Sequence, residues 1–308
     1  MKKKVLLIVG PTAVGKTAIS CEIAKHLPIE IVSADSRQVY RFMNIGTAKP
    51  TEEERAAVPH HFIDIKDPNE WYSAGQFGTD ARVCIGEILQ KSKLPLVVGG
   101  SGLYIRALVD GLFEPKISDA SVKQKLKKRV REDGLEALYQ ELKNVDPVTA
   151  GSLSITDTQR ILRALEVFEI TGKPFSEFRQ KKTQSAEFQA FFVGLTMNRD
   201  QLYAQIETRV DQMLQQGLVE EVKALKKRGF TSDLNALQTV GYKEVFLYLD
   251  NKISREEMVR LIKQKSRNYA KRQWTWFNKD KRIYWINLSE IVDKSEVATI
   301  ILKQLNSD

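Results

Sequence analysis

The chain has 308 residues, 42% hydrophobic and 28% charged, a balance suited to one large or two ordinary globular domains. Its longest apolar runs, such as Val5–Val9 and Leu94–Val98, are far too short to cross a bilayer, so no membrane association is expected. The net charge is +9 and uneven: from Lys263 to Arg282 there are eight basic residues against one acidic residue, Asp280, which points to a polyanionic partner.

At the amino end, Lys2-Lys3-Lys4 before an apolar run resembles a signal peptide, but the run ends at Gly10 with no small-residue cleavage site. Cys21 and Cys84 are too few for a disulfide framework or a zinc site, and a reducing cytoplasm is expected. Val5–Val9 predicts a strand covered on both faces. Lys16–His26 predicts a helix, with Ile19, Ile23 and Leu27 at spacings of four. Ile29–Val32 and Leu94–Val98 predict two further strands, ending at Ala34-Asp35-Ser36 and at Gly99-Gly100-Ser101-Gly102, and a helix begins at Leu103. Ala190–Leu195 and Ile283–Ile286 read as later strands. This β–α alternation predicts a P-loop NTPase-like α/β core, a parallel sheet flanked by helices with its ligand at the carboxyl ends of the strands.

From about residue 113 to residue 189 the strand signal vanishes. Val122, Leu126 and Val130 form one helical stripe, with Lys123, Lys127 and Arg131 beside it. Ile161, Leu162, Leu165 and Phe168 mark a second helix, closed by Thr171-Gly172-Lys173-Pro174. The expected organisation is residues 1–113 as the first part of the core, 114–189 as an all-helical insertion, and 190–308 as the rest of the core. That last part is mostly helical, through Leu202–Gln216, Val219–Lys227 and Arg255–Trp276.

Gly10-Pro11-Thr12-Ala13-Val14-Gly15-Lys16-Thr17 follows a predicted strand and opens a predicted helix, the context in which a P-loop is credible. Its backbone N–H groups and the helix terminus suit a polyphosphate, Lys16 suits the terminal phosphates, and the Thr17 hydroxyl suits Mg²⁺. No apolar strand ends in the second carboxylate that holds Mg²⁺ in ATPases, which leaves a group-transfer enzyme of kinase-like build. Asp35, at the end of the second strand, can accept a proton or hold Mg²⁺ through water; equally it can cap a helix or pair with Arg37. Ser36, Arg37 and Gln38 beside it, and Ser101 at the third strand end, offer groups for a base or a phosphate. Lys263, Arg267 and Lys271 form one stripe suited to phosphates, while Tyr269 and Trp276 are expected in the core. Arg160 and Arg163 are expected to point away from Ile161, Leu162 and Leu165.

Ser-Ala-Asp-Ser-Arg-Gln-Val-Tyr at 33–40, Gly-Thr-Ala-Lys-Pro at 46–50, Gly-Gly-Ser-Gly-Leu-Tyr at 99–104 and Gln-Arg-Ile-Leu-Arg-Ala-Leu-Glu at 159–166 follow the phosphate loop in order. With Val-Gly-Tyr-Lys-Glu at 240–244 and Tyr-Ala-Lys-Arg-Gln at 269–273, they make the chain resemble the tRNA dimethylallyltransferase (tRNA isopentenyltransferase) family over nearly its whole length. The resemblance implies transfer of a dimethylallyl group from dimethylallyl diphosphate to N6 of adenine 37 of tRNA, with Asp35 as proton acceptor. It makes the loop a site for departing diphosphate, with Thr17 and Mg²⁺ assisting, and Thr12 and Ser101 as further pocket residues. Ser101 stands where many relatives carry Thr. Arg209, in a segment like the family's Arg-Ile-Glu-x-Arg, is implied as a diphosphate contact; the first arginine of that pattern is Gln205 here.

The family's RNA-holding segment corresponds to Gln159, Arg160, Ile161, Leu162 and Arg163. Lys123 and the basic helix with Lys263, Arg267, Lys271 and Arg272 are expected to help clamp the anticodon stem-loop, with adenine 37 flipped out of its stack. No Cys or His stands near Asp308, so the zinc finger of eukaryotic relatives is not expected and the bacterial form is; a monomer is expected on one asymmetric RNA. Three rival readings remain at this point: a small-molecule kinase, an adenylate isopentenyltransferase, and a non-catalytic RNA-binding protein. The basic carboxyl-terminal stretch argues against the first two, and the third would leave Asp35 and Lys16 without purpose.

Overall fold

A computed structural model describes residues 3–112, 117–179, 184–291 and 293–307. The chain forms two compact units, one made of the residues up to Asp110 and from Ser185 onward, the other of Gly111–Gln184. The expected boundary at 113/114 falls outside the described residues.

The first unit is built on a sheet of β1 (Lys4–Val9), β2 (Ile29–Ser33), β3 (His60–His61), β4 (Leu94–Gly99), β5 (Gln189–Thr196) and β6 (Tyr284–Asn287). Their spatial order is β3-β2-β4-β1-β5-β6, and every neighbouring pair is parallel. Helices α1 (Lys16–Ala24), α2 (Glu52–Ala57), α3 (Ala74–Gln90) and α4 (Gly102–Val109) belong to the same unit. The second unit holds α5 (Ala120–Glu132), α6 (Gly134–Val145), α7 (Pro147–Gly151), α8 (Thr158–Thr171) and α9 (Phe175–Arg179), with no strand among its described residues. The first unit is completed by α10 (Arg199–Gln215), α11 (Leu218–Lys227), α12 (Tyr242–Leu249), α13 (Arg255–Phe277) and α14 (Lys294–Ser307).

Val5 to Val9 are 0% exposed, which explains why β1 reads as an unbroken apolar run: water reaches neither face. Leu6 and Ile8 share a core with Ile19 and Ile23 of α1 and with Val297 and Ile301 of α14. The strand order puts the carboxyl ends of β2, β4 and β1 side by side. The chain leaving β1 and the chain leaving β2 are therefore about 10 Å apart, two strand spacings, with β4 between them. Everything the sequence marks as reactive leaves the sheet along this edge.

In the second unit, Leu126 of α5 packs with Leu138 and Leu142 of α6 and with Ile161, Ala164 and Leu165 of α8. Asp119 caps α5 by accepting from the backbone N–H groups of Ser121 and Val122, and α8 closes at Gly172 in the left-handed region (φ 68°).

The helix expected over Lys16–His26 stops at Ala24, and the last strand lies one residue later than expected. Pattern reading misses β3, which at two residues has no period, and α3, where Gly75, Gly78 and Gly86 break the helical signal. The glycines of α3 differ in what they permit. A Cβ on Gly78 would lie 2.7 Å from the Ala107 carbonyl oxygen of α4, whereas nothing approaches Gly86 within 4 Å. Gly78→Ala is therefore expected to destabilise the protein by about 1–3 kcal/mol by forcing α3 from α4. Gly86→Ala is expected to stabilise it by about 0.5–1 kcal/mol through helix propensity. Denaturant midpoints of the two variants check the contrast.

Candidate active site

The turn from β1 into α1 takes positive φ three times, at Gly10 (143°), Ala13 (65°) and Gly15 (101°). Gly10 is also crowded, since a Cβ there would meet the Leu195 carbonyl oxygen of β5 at 2.4 Å. Gly15 caps α1 without a side chain, so the first-turn N–H groups remain available to an anion. Lys16 folds back over the loop, its Nζ donating to the carbonyl oxygens of Gly10 (3.0 Å) and Pro11 (2.7 Å). From α10, Arg209 donates through Nη1 to the Thr12 hydroxyl (3.2 Å). Burial, together with the Arg209 charge and against the opposite pull of Asp35, brings the Lys16 amine down to about 7. Burial likewise lowers Arg209, again against the pull of Asp35. Two half-buried cations with no carboxylate bonded to them among the described residues make a site that an oligophosphate stabilises.

Asp35 follows β2. Its Oδ1 accepts from the backbone N–H groups of Arg37 (2.8 Å) and Gln38 (3.4 Å), so the capping alternative holds for that one oxygen. Oδ2 has no hydrogen bond among the described residues. Ser101, at the end of β4, accepts from the Ser36 backbone N–H (3.0 Å) and donates to the Ser36 hydroxyl (3.3 Å), which ties the two strand ends together. Arg37 reaches the Asn235 carbonyl oxygen rather than Asp35 (2.7 Å). Tyr269 of α13 borders the same space; burial and the nearby Asp35 push its hydroxyl up to about 12, so it stays a neutral donor.

One cavity of about 870 Å³ has Thr12, Lys16, Thr17 and Arg209 in its wall together with Asp35, Ser36, Arg37, Gln38 and Tyr269; Ser101 is not in its lining. Gly10, Pro11, Ala13 and Val14 complete the loop; Pro11 and Val14 are buried and shape it from behind. Among the described residues no three His, Cys, Asp or Glu side chains gather as a metal cage. A divalent ion would take the Thr17 hydroxyl and phosphate oxygens as ligands, the small protein share usual for Mg²⁺.

The remaining motifs build the cavity's frame. Gln38 accepts from the Ser33 hydroxyl (3.1 Å) and donates to the carbonyl oxygens of Thr47 (3.3 Å) and Ala48 (3.1 Å). Lys49 is held by the Tyr40 carbonyl oxygen (2.8 Å) and Asp64 (2.5 Å). The Glu221 carboxylate collects the backbone N–H groups of Asn44, Ile45 and Gly46 and the Tyr242 hydroxyl (2.6 Å). Glu221 stands in no motif and escaped the sequence reading; only the fold brings it to the loop 44–46.

Of the expected nucleic-acid residues on α13, Lys263 is paired with Asp211 (2.8 Å) and Arg267 with Glu207 (2.5 Å), both on α10. Lys271 and Arg272 are exposed, and Arg272 lines the cavity. The expectation of core aromatics on this helix is corrected: Trp276 is 39% exposed, beside Gly102 of α4, and Tyr269 is a half-buried residue of the cavity wall. In the second unit, Gln159 and Arg160 are exposed. Ile161 is 0% exposed in that unit's core and Leu162 packs against it, so neither side chain is an RNA-facing group. Arg163 does not point outward as expected: it donates to the Ile117 carbonyl oxygen (2.6 Å) and to the buried Glu166 (3.0 Å). Lys123 lies 2.6 Å from the Ser118 hydroxyl and 3.8 Å from Glu166. Glu166 thus explains its place in the motif, as the anchor between α8 and the start of α5.

The IPP transferase family model matches residues 38–280, and the isopentenyl transferase model matches residues 3–69. A tRNA dimethylallyltransferase of Alkaliphilus oremlandii is 45% identical over 98% of this chain and 97% of its own length. One of Bacillus mycoides is 43% identical over 97% of this chain and 95% of its own length. Among solved structures, the full-length tRNA isopentenylpyrophosphate transferase of Bacillus halodurans superposes with TM-score 0.73 at 40% identity, covering 99% of this chain and 98% of that one. A eukaryotic dimethylallyltransferase acting on tRNA superposes with TM-score 0.82 at 29% identity, covering 99% and 80%.

The free Lys16 amine titrates at about 7, and a bound phosphate anion raises it, so anion binding takes up a proton. The contribution of Lys16 to diphosphate affinity is complete below that value and is lost as pH rises through it, by up to about tenfold per unit. Diphosphate's own ionisation acts in the opposite direction, so the Lys16→Arg variant, which stays charged, is the reference. The ratio of wild-type to variant affinity is expected to fall between pH about 7 and about 9, as read by calorimetry. A flat ratio contradicts the depressed amine.

Proposed function

The chain belongs to the tRNA dimethylallyltransferase family, and we propose that it moves the dimethylallyl group of dimethylallyl diphosphate onto the N6 amine of adenine 37 beside the tRNA anticodon, releasing diphosphate. The observation that carries this reading is one cavity holding the half-buried cations Lys16 and Arg209 and, two strand ends away, a carboxylate that is paired with neither.

The exocyclic amine is a weak nucleophile because its lone pair is delocalised into the ring. Its nitrogen bonds to C1 of the dimethylallyl group while the C1–O bond breaks and the electron pair departs with the diphosphate. The amine's proton passes to Oδ2 of Asp35, which Oδ1 holds in place through the N–H groups of Arg37 and Gln38. Charge growing on the leaving oxygens meets the loop N–H groups, Lys16 and Arg209. Thr12 orients Arg209, and Thr17 would hold Mg²⁺, whose charge would further stabilise the diphosphate. Ser101 fixes Ser36, and the Ser36 hydroxyl, the remaining guanidinium N–H groups of Arg37 and the neutral Tyr269 hydroxyl offer donors to the edges of a flipped base.

For the RNA backbone, the exposed cations Lys271 and Arg272 on the first unit and Arg160 on the second, with Gln159 beside it, are the groups best suited. Lys263 and Arg267 support them by fixing α13 to α10, and Lys123 and Arg163 by fixing the helices of the second unit. A small-molecule kinase has no use for the exposed Lys271 or for Arg272 on the cavity wall. No helix among the described residues is long and apolar enough to cross a membrane.

Incubation with dimethylallyl diphosphate and unmodified tRNA is expected to replace one hydrogen of a single adenosine by a dimethylallyl group, with one diphosphate released per tRNA. Mass spectrometry of the digested tRNA reads the product. ATP-dependent phosphorylation of a small molecule with unchanged tRNA would overturn the reading.

A further inference from the structure

Gln273 lies on α13, in the turn that also carries Lys271 and Arg272, yet its side chain points the other way and is 6% exposed. Both ends of its amide are engaged. The Thr12 backbone N–H donates to Oε1 (2.8 Å), and Nε2 donates to the Gly100 carbonyl oxygen (2.9 Å). The orientation of the amide is dictated by its partners, because Thr12 offers only a donor and Gly100 only an acceptor. Space at Gly100 is cut to fit, since a Cβ there would lie 2.0 Å from Nε2.

The two partners belong to different halves of the chemistry. Thr12 is in the phosphate loop and holds Arg209. Gly100 precedes Ser101, which holds Ser36 next to Asp35. The β1–β4 ladder ends at Val9↔Gly99, so strand pairing holds Gly100 closely but not Thr12, three residues beyond it; the buried amide bonded to both joins them.

We propose that Gln273 is a positioning residue: its amide fixes the donor-holding phosphate loop against the acceptor-holding strand end, and so sets the approach of the amine to the breaking C–O bond. The proposal rests on the dimethylallyl-transfer reading. Although Gln273 stands in the cavity wall, both ends of its amide are engaged by the two loops. Its loss therefore lowers the rate of the chemical step while each substrate, bound largely by its own half, keeps its affinity.

Two variants test this in single-turnover assays at saturating tRNA and dimethylallyl diphosphate, with each dissociation constant measured separately. Gln273→Leu keeps the volume and removes both hydrogen bonds; its rate is expected to fall at least about tenfold, with both dissociation constants within about threefold of wild type. Gln273→Glu adds a direct chemical readout. Ionised, it sets an oxygen against the Gly100 carbonyl; protonated, its O–H donates to Gly100 while its C=O accepts from Thr12, restoring the original pattern. Its rate relative to wild type is therefore expected to rise as pH is lowered from about 8 to about 6, the range reached by buried carboxyls. A merely structural side chain would give losses that follow the folded fraction and a flat ratio. A Leu variant within threefold of wild type, or a flat pH ratio for the Glu variant, overturns the role of Gln273 alone. Absence of dimethylallyl transfer by the wild-type protein overturns the reaction itself and this role with it.

Discussion

Lys16, Arg209 and Asp35 share a cavity without forming an ion pair, and the rest of the site follows from that constraint. Each charge is held by neutral groups: Lys16 by two carbonyl oxygens, Arg209 by a hydroxyl, Asp35 by two backbone N–H groups. Had the carboxylate collapsed onto either cation, the loop would hold its own counter-ion and exclude a diphosphate, and Asp35 would be a poor base. The sheet supplies the needed separation, placing the ends of β1 and β2 two strand spacings apart with β4 between. Tyr269 and Arg272 of α13 then close the cavity from above the strand ends.

The same separation explains why a P-loop can serve alkyl transfer. In a phosphoryl-transfer enzyme the loop holds the group that moves; in the reaction proposed here it holds the group that leaves. The required physics is unchanged, since negative charge grows on phosphate oxygens in a buried, cationic pocket. What differs is the neighbour, a single carboxylate beside donors suited to a base edge. A second metal-holding carboxylate at the end of β4 is replaced by Gly100 and Ser101, which lets the acceptor strand end approach the loop.

The legible parts of the fold are those whose cause is local. The strands β1, β2, β4 and β5 are buried on both faces and announce themselves as apolar runs, and the phosphate loop is written in glycines that its φ angles require. Asp35 was legible as a candidate because it follows such a strand, but two roles stayed open until its oxygens could be told apart. Burial on α8 was the error with a clear lesson. A motif that marks the family holds Ile161 and Arg163 for packing and for Glu166, and only Gln159 and Arg160 lie open to solvent. The roles of Glu221 and of Gln273, the last residue of a quoted motif, are not legible for the opposite reason. Their backbone partners lie from 173 to 261 residues away in the chain, and no periodicity records contacts made only by the folded sheet.

The central claim is that a carboxylate kept free of the neighbouring cations takes the amine's proton. It is tested most directly by single-turnover transfer with Asp35→Asn, which preserves the acceptor oxygen for the Arg37 and Gln38 N–H groups and removes the basic one. The variant is expected to bind tRNA and dimethylallyl diphosphate within about threefold of wild type and to lose at least about a hundredfold in the transfer rate. Transfer at a near wild-type rate in that variant would contradict the account.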